Sequence, residues 1–168
     1  MSVVLIGMMG VGKTTLGRAA SKALGWRFID VDRQIEQSSG KAIATIFDED
    51  GEPAFRRMEA DVLANLEGIK HAVVSTGGGA PMEEGNFERM RKIGPVIYLE
   101  AGPEALIRRL KNSRTRRPML GADIEGRVTH LLEVRRDAYR RADFRITVDE
   151  RSPMEVVLEI KRIAEVHS

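Results

Sequence analysis

Eight residues near the amino terminus carry the clearest chemistry in the chain. Gly7-Met8-Met9-Gly10-Val11-Gly12-Lys13-Thr14 fits G-x-x-x-x-G-K-[ST], a loop that cradles phosphate groups. Its glycines let backbone N–H groups turn toward a polyphosphate, and a helix beginning there adds the positive end of its dipole. In such loops the lysine, here Lys13, reaches the β- and γ-phosphates, and the hydroxyl, here Thr14, ligates Mg²⁺. Binding of a nucleoside triphosphate follows. A second metal-anchoring Asp usually ends a later strand, but Ser75-Thr76-Gly77-Gly78-Gly79 stands there instead. The nearest acids are Asp30 and Asp32. In extended chain residues i and i+2 face the same way, so both would point into the crevice beyond the strand ends. A plainer role for Asp32 is to cap a helix starting at Arg33, which leaves Asp30 unexplained.

Two arginines invite a choice of roles. Arg56 lies on a helix predicted over Glu52–Leu66 with a core face of Phe55, Met58, Val62 and Leu66. It could pair with Glu52 or Glu59 at helical spacing, or it could hold a ligand carboxylate. Arg135 continues the apolar stripe Ile124, Val128, Leu131, Leu132 and Tyr139 of a helix predicted over Asp123–Arg141. An inward arginine must find an anion or snorkel out. The run Gly77–Gly79 is either a tight turn before Pro81 or a place where backbone approaches a ligand closely. The segment Asn112–Ala122, NSRTRRPMLGA, is polar and carries Arg114, Arg116 and Arg117. It is a solvated surface loop or a mobile lid that closes over a nucleotide.

Composition narrows the classes. The chain has 168 residues, no Cys, and three widely spaced histidines (His71, His130, His167). Disulfides, thiolate catalysis and Cys-ligated zinc are excluded, and a reducing cytoplasm is expected. The longest apolar stretch, Val3 to Met9, is far short of the ~20 residues that span a bilayer, and no signal-peptide pattern precedes it. Twenty of the 27 basic residues are Arg, against a net charge of only +2. That favours small anionic ligands bound by planar forks over nucleic acid.

Positioning these residues requires strands alternating with helices. Short β-rich runs occur at Val3–Ile6, Arg27–Asp30, Ala72–Thr76, Val96–Leu99 and Phe144–Val148. Helical patterns occupy Thr14–Leu24, Glu52–Leu66, Glu83–Arg91, Pro103–Lys111, Asp123–Arg141 and Pro153–Val166. One α/β domain over residues 1–168 is expected, with about five parallel strands flanked by helices.

Taken together, the sequence resembles the shikimate kinase family. The resemblance rests on the loop at Gly7–Thr14, the Asp-x-Asp at Asp30–Asp32, Phe55-Arg56-x-x-Glu59, the triple glycine, and Arg117-Pro118-Met119, all in family order. It implies a P-loop NTPase fold akin to nucleoside monophosphate kinases, with a lid at about 112–122, and ATP-dependent phosphorylation of the shikimate 3-hydroxyl on the route to aromatic amino acids. By motif position Asp32, Arg56, Gly78 and Arg135 would contact shikimate. Gly10, Val11, Gly12, Lys13, Thr14, Thr15 and Arg117 would contact ATP, and Thr14, with Asp30 through water, would hold Mg²⁺. Asp32, Lys13 and Arg117 would carry the catalysis. Arg109 and Pro153 are candidates for the adenine. A monomer acting on two small molecules, without nucleic acid or membrane, is expected. A gluconate or nucleoside monophosphate kinase would need a different acceptor site, and a nucleic-acid-binding ATPase would use Arg114–Arg117 as a basic patch.

Overall fold

Five short runs rich in Val, Ile and Phe form one parallel sheet: β1 (Val3–Ile6), β2 (Arg27–Asp30), β3 (Ala72–Ser75), β4 (Val96–Glu100) and β5 (Phe144–Thr147), in the order β2-β3-β1-β4-β5. The computed structural model describes residues 1–113 and 121–167. β1 and β3 are buried at every position, as strands covered on both faces must be. On one face α1 (Lys13–Leu24) packs against α8 (Pro153–Val166), around a core that includes Leu5, Val73, Ile97, Leu99 and Ile160. On the other, α2 (Val31–Ser39), α3 (Ile43–Glu49), α4 (Glu52–Asn65) and α5 (Asn86–Ile93) close over Val4, Ile6, Val74 and Phe87. α6 (Pro103–Lys111) and α7 (Ile124–Arg140) complete the chain of helices. α7 gives Val128 and Leu131 to the first core and Tyr139 to the second.

Three differences from the sequence-based expectation matter for the site. The helix after β2 begins at Val31, directly after the strand, so Asp32 is in its first turn. Its cap is therefore Asp30, whose side chain accepts from the Asp32 backbone N–H, and Asp32 is not the cap. The helix expected over Glu83–Arg91 is α5, which begins only at Asn86 and runs to Ile93, with a 3₁₀ turn at Ala80–Met82 ahead of it. α3 was not expected at all, because its apolar residues Ile43, Ile46 and Phe47 span under two turns. No described helix is long and apolar enough to cross a membrane.

Candidate active site

The carboxyl ends of β1, β2 and β3 bring the candidate residues to one crevice, where open α/β sheets hold ligands. The phosphate loop leaves β1 through Gly7, whose φ of 148° and backbone contact admit no side chain: a Cβ there would stand 2.5 Å from the Leu99 carbonyl oxygen. Gly12 caps α1 with φ 104° and offers no side chain to its first N–H groups, leaving them free to face an anion. Lys13 is folded across this loop, its Nζ donating to the carbonyls of Gly7 (2.7 Å) and Met8 (3.1 Å). A cavity of about 310 Å³ opens there, lined by Gly10, Gly12, Lys13, Thr14, Thr15 and Arg109. The Val11 side chain turns into the core, so only its backbone serves the loop. Arg109 donates to the Val11 carbonyl at 3.0 Å, at the edge of this cavity. Pro153, the first residue of α8, lines neither cavity of the crevice.

Beside it lies a second cavity of about 560 Å³, walled by Asp32, Arg56, Arg135 and the three glycines. The two cavities share Met9, Thr14, Asp30, Asp32, Gly77 and Gly78. Along that common wall Thr14 Oγ1 donates to Asp30 Oδ2 at 3.0 Å, and Asp30 Oδ1 accepts from the Asp32 N–H at 3.1 Å. Both oxygens of Asp30 are thus engaged in binding the loop to α2.

The glycine run forms a tight turn, the Ala80 N–H donating to the Gly77 carbonyl at 3.2 Å, and side chains of the crevice approach its backbone closely. A Cβ on Gly77 would meet Glu59 Oε1 at 2.7 Å and Asp32 Oδ1 at 3.2 Å, one on Gly78 would meet the Arg135 guanidinium at 2.9 Å, and one on Gly79 would collide with the Arg56 guanidinium. Gly77 therefore makes room for Glu59 and Asp32, Gly78 for Arg135 and Gly79 for Arg56. Tyr139 fixes the strand of glycines from behind, donating from its hydroxyl to the Gly78 carbonyl at 2.7 Å.

Arg56 makes the expected ion pairs and also lines the cavity. Its guanidinium reaches Glu52 (3.1 Å), Glu59 (3.0 Å) and Glu83 (3.7 Å) while lining the cavity. Arg135 does not snorkel: it is 3% exposed, contacts Met8 sulfur at 3.6 Å, and has no carboxylate within 4 Å among the described residues. A buried guanidinium that faces a cavity is suited to hold an anion there. Arg117, and residues 114–120 of the segment expected as a lid, lie outside the described residues.

Glu59, expected as a motif residue and a pairing partner of Arg56, proves to be a buried acid, which sequence reasoning did not anticipate. It lies fully buried on α4 between Phe55 and Leu63, next to the stripe expected to form the core face. An acid at i+4 and i−4 from apolar residues was the available signal. Burial pushes its carboxyl up to about 7, with Arg56 opposing and Asp32 and Glu83 adding to the rise. A carboxyl raised in the folded state binds its proton more tightly there than in the unfolded chain. Its contribution to stability is therefore greatest at low pH and is lost as pH rises from about 4.5 toward 7. Between pH 5 and pH 8 the wild-type protein should lose about 2–3 kcal/mol of stability from this group, and Glu59→Gln should abolish that loss. Urea unfolding at the two pH values measures it, and an identical pH dependence in the variant would contradict it. Sequence reasoning also missed α3, which supplies Ile43 and Phe47 to the second cavity, and Glu36, whose carboxylate accepts from the Ile43 N–H at 3.0 Å to hold α3 in place.

The chain matches the family described as "Shikimate kinase" over residues 9–165. A shikimate kinase of Symbiobacterium thermophilum is 44% identical over 163 residues, covering 95% of this chain and 94% of the relative. One from Caldanaerobacter subterraneus subsp. tengcongensis is 37% identical over 161 residues, covering 96% and 94%. Among solved structures, a shikimate kinase from Acinetobacter baumannii in complex with shikimate is similar with a TM-score of 0.91 at 34% identity, covering 98% of this chain and 93% of that one. A gluconokinase from Sinorhizobium meliloti, at 18% identity and a TM-score of 0.58 over 99% and 93% of the two chains, shares the fold alone.

Proposed function

The chain belongs to the shikimate kinase family, and on that premise we propose how its residues divide the transfer of a phosphoryl group from ATP to the 3-hydroxyl of shikimate. The observation that carries the reading is the shared wall: a phosphate-loop cavity and an acceptor cavity meet along Thr14, Asp30, Asp32, Gly77 and Gly78. ATP occupies the first, its phosphates on the backbone of Gly10 to Thr15, and Lys13 moves from its own carbonyls to the β- and γ-phosphates. Shikimate occupies the second, its carboxylate between Arg56 and Arg135 and its 3-hydroxyl on Asp32 near the Gly78 backbone. Asp32 accepts the hydroxyl proton as that oxygen bonds to the γ-phosphorus, while the bond to the β–γ bridging oxygen breaks and ADP leaves. Positioning and charge stabilisation supply most of the acceleration in such transfers.

Thr14 Oγ1 and Asp30 Oδ2, hard oxygen donors 3.0 Å apart, suit Mg²⁺, which keeps most of its waters and takes few protein ligands. Thr14 directly and Asp30 through water would hold the ion, which when bound neutralises charge on the β- and γ-phosphate oxygens. Arg117 joins the ATP phosphates by its place in the family motif. Arg109, already at the loop, is the better candidate for the nucleotide's base, with Pro153 a weaker one. Both cavities are built from one chain, so a monomer suffices, acting in the cytoplasm where ATP is available.

The reading is tested by ADP release from MgATP with shikimate, gluconate, AMP or no acceptor. Turnover should require shikimate. Equal release without acceptor, or with AMP, would sink the assignment.

A further inference from the structure

A third cavity, of about 540 Å³, lies outside the catalytic crevice against the β5 edge of the sheet. Its origin is legible in the ladder. Tyr98 of β4 and Arg145 of β5 are paired across the strands, so both project to the same face, whereas Ile146 turns to the opposite face and the core shared with α8. α7 passes over the Tyr98 side and presents Leu132, Arg136 and Arg140 to the space beneath. Arg145 lies 3.6 Å from Glu100, while Arg136 and Arg140 have no ion-pair partner among the described residues. Three guanidiniums against the carboxylates of Glu100 and Glu133 leave the lining with one net positive charge. Such a wall suits a monoanion better than a polyphosphate.

The floor connects to the acceptor cavity. The Tyr98 ring stacks on Tyr139 with centroids 4.8 Å apart and planes at 23°. Tyr139 in turn donates to the Gly78 carbonyl at 2.7 Å, and it lies one turn of α7 beyond Arg135, whose neighbour in sequence is Arg136. Burial, with Glu100 adding to it, pushes the Tyr98 phenol up to about 12, so its hydroxyl remains a neutral donor at physiological pH.

We propose that this cavity binds a small organic monocarboxylate, its anion on Arg136 and Arg140 and its apolar body against Tyr98 and Leu132, and that occupancy is coupled through the stacked tyrosines and α7 to the acceptor cavity. The coupling rests on the acceptor reading given above; binding in the cavity does not. A ligand that draws Arg136 and Arg140 inward turns the same helical segment that carries Arg135 and Tyr139. By linkage, it must change acceptor affinity by the factor the acceptor changes its own.

The test titrates the ¹⁵N-labelled full chain with sodium benzoate, using sodium chloride as the ionic-strength control and sodium phosphate as a second anion. Benzoate should cause saturable shifts at the amides of residues 98–102 and 132–145, lost in the double variant Arg136→Ala/Arg140→Ala, whose exposed positions should leave thermal unfolding unchanged. Saturating benzoate should change the KM for shikimate at least threefold in the wild type and not in the variant. Shifts that track chloride equally, shifts that survive the double variant, tighter binding of phosphate than benzoate, or an unchanged KM would each overturn the proposal. Failure of the acceptor reading itself would show separately, as turnover independent of shikimate while the cavity amides still respond.

Discussion

Asp32→Asn should lower kcat by about 10²–10⁴-fold, the usual contribution of a positioned proton acceptor, while the KM for shikimate changes only several-fold. Among the described residues, two carboxylates stand on the wall shared by the two cavities, Asp30 and Asp32. Asp30 has one oxygen on the Thr14 hydroxyl and the other on the Asp32 N–H, which joins the phosphate loop to α2 and suits the Mg²⁺ role proposed for it. In the proposed transfer Asp32, on the wall between the two cavities, orients the incoming hydroxyl and takes its proton. Asparagine keeps the shape and one accepting oxygen but cannot accept the proton, which separates orientation from proton transfer. Single-turnover phosphoryl transfer and shikimate binding, measured on the same variant, report the two roles. A kcat within threefold of wild type would reduce Asp32 to a residue that only orients its substrate.

Much of this arrangement can be read from sequence, and the parts that cannot share a physical cause. The phosphate loop is legible because the motif specifies backbone conformation residue by residue, and β1, β2, α6 and α8 begin and end where their patterns do. Arg135 is legible because a charged residue interrupts a long apolar stripe on a 17-residue helix. Glu59 is harder to read, since Arg56 and Glu59 at i, i+3 look like an ordinary surface pair. Only the fold reveals that the pair is inside. α3 has seven residues and no side-chain cap, and it is held instead by Glu36 of α2 and by Lys41, which reaches Glu49 and Asp50 at 3.0 and 2.9 Å. An element stabilised by its neighbours rather than by its own periodicity leaves little trace in a window of sequence. The shift of the cap from Asp32 to Asp30 is a matter of two residues, at the element boundary where patterns are least informative.

Two arginines that would share a single substrate carboxylate, one half-buried and one buried, should respond oppositely to removal. Arg56→Met leaves Glu59 fully buried and without its cation, and losing one partner of a buried pair costs about 3–5 kcal/mol. That cost depends on pH, because Glu59 can escape it by taking up a proton. Without Arg56, whose charge lowers the Glu59 pKa, the carboxyl should rise above about 7. The deficit should therefore be large at pH 8 and shrink toward pH 5. Arg135→Met strands no carboxylate, since none lies within 4 Å of Arg135 among the described residues, and it replaces a desolvated charge with an apolar chain of similar reach. Its stability should be unchanged or greater than wild type. Both variants should nonetheless lose shikimate affinity by roughly 10–150-fold, the equivalent of about 1.5–3 kcal/mol for a charge-assisted contact, with ATP affinity little altered. Urea unfolding at pH 5 and 8 together with shikimate titration decides the matter. If Arg135→Met proves as destabilised as Arg56→Met, Arg135 is a structural residue with an anion of its own. If either variant binds shikimate normally, the carboxylate is held elsewhere. The pairing of a pre-compensated arginine with an uncompensated one is itself functional in this account. Arg56 is held in place by Glu59, whereas on the proposed reading Arg135 would gain its counter-charge from the substrate, so that the energy of neutralising it would be available for binding.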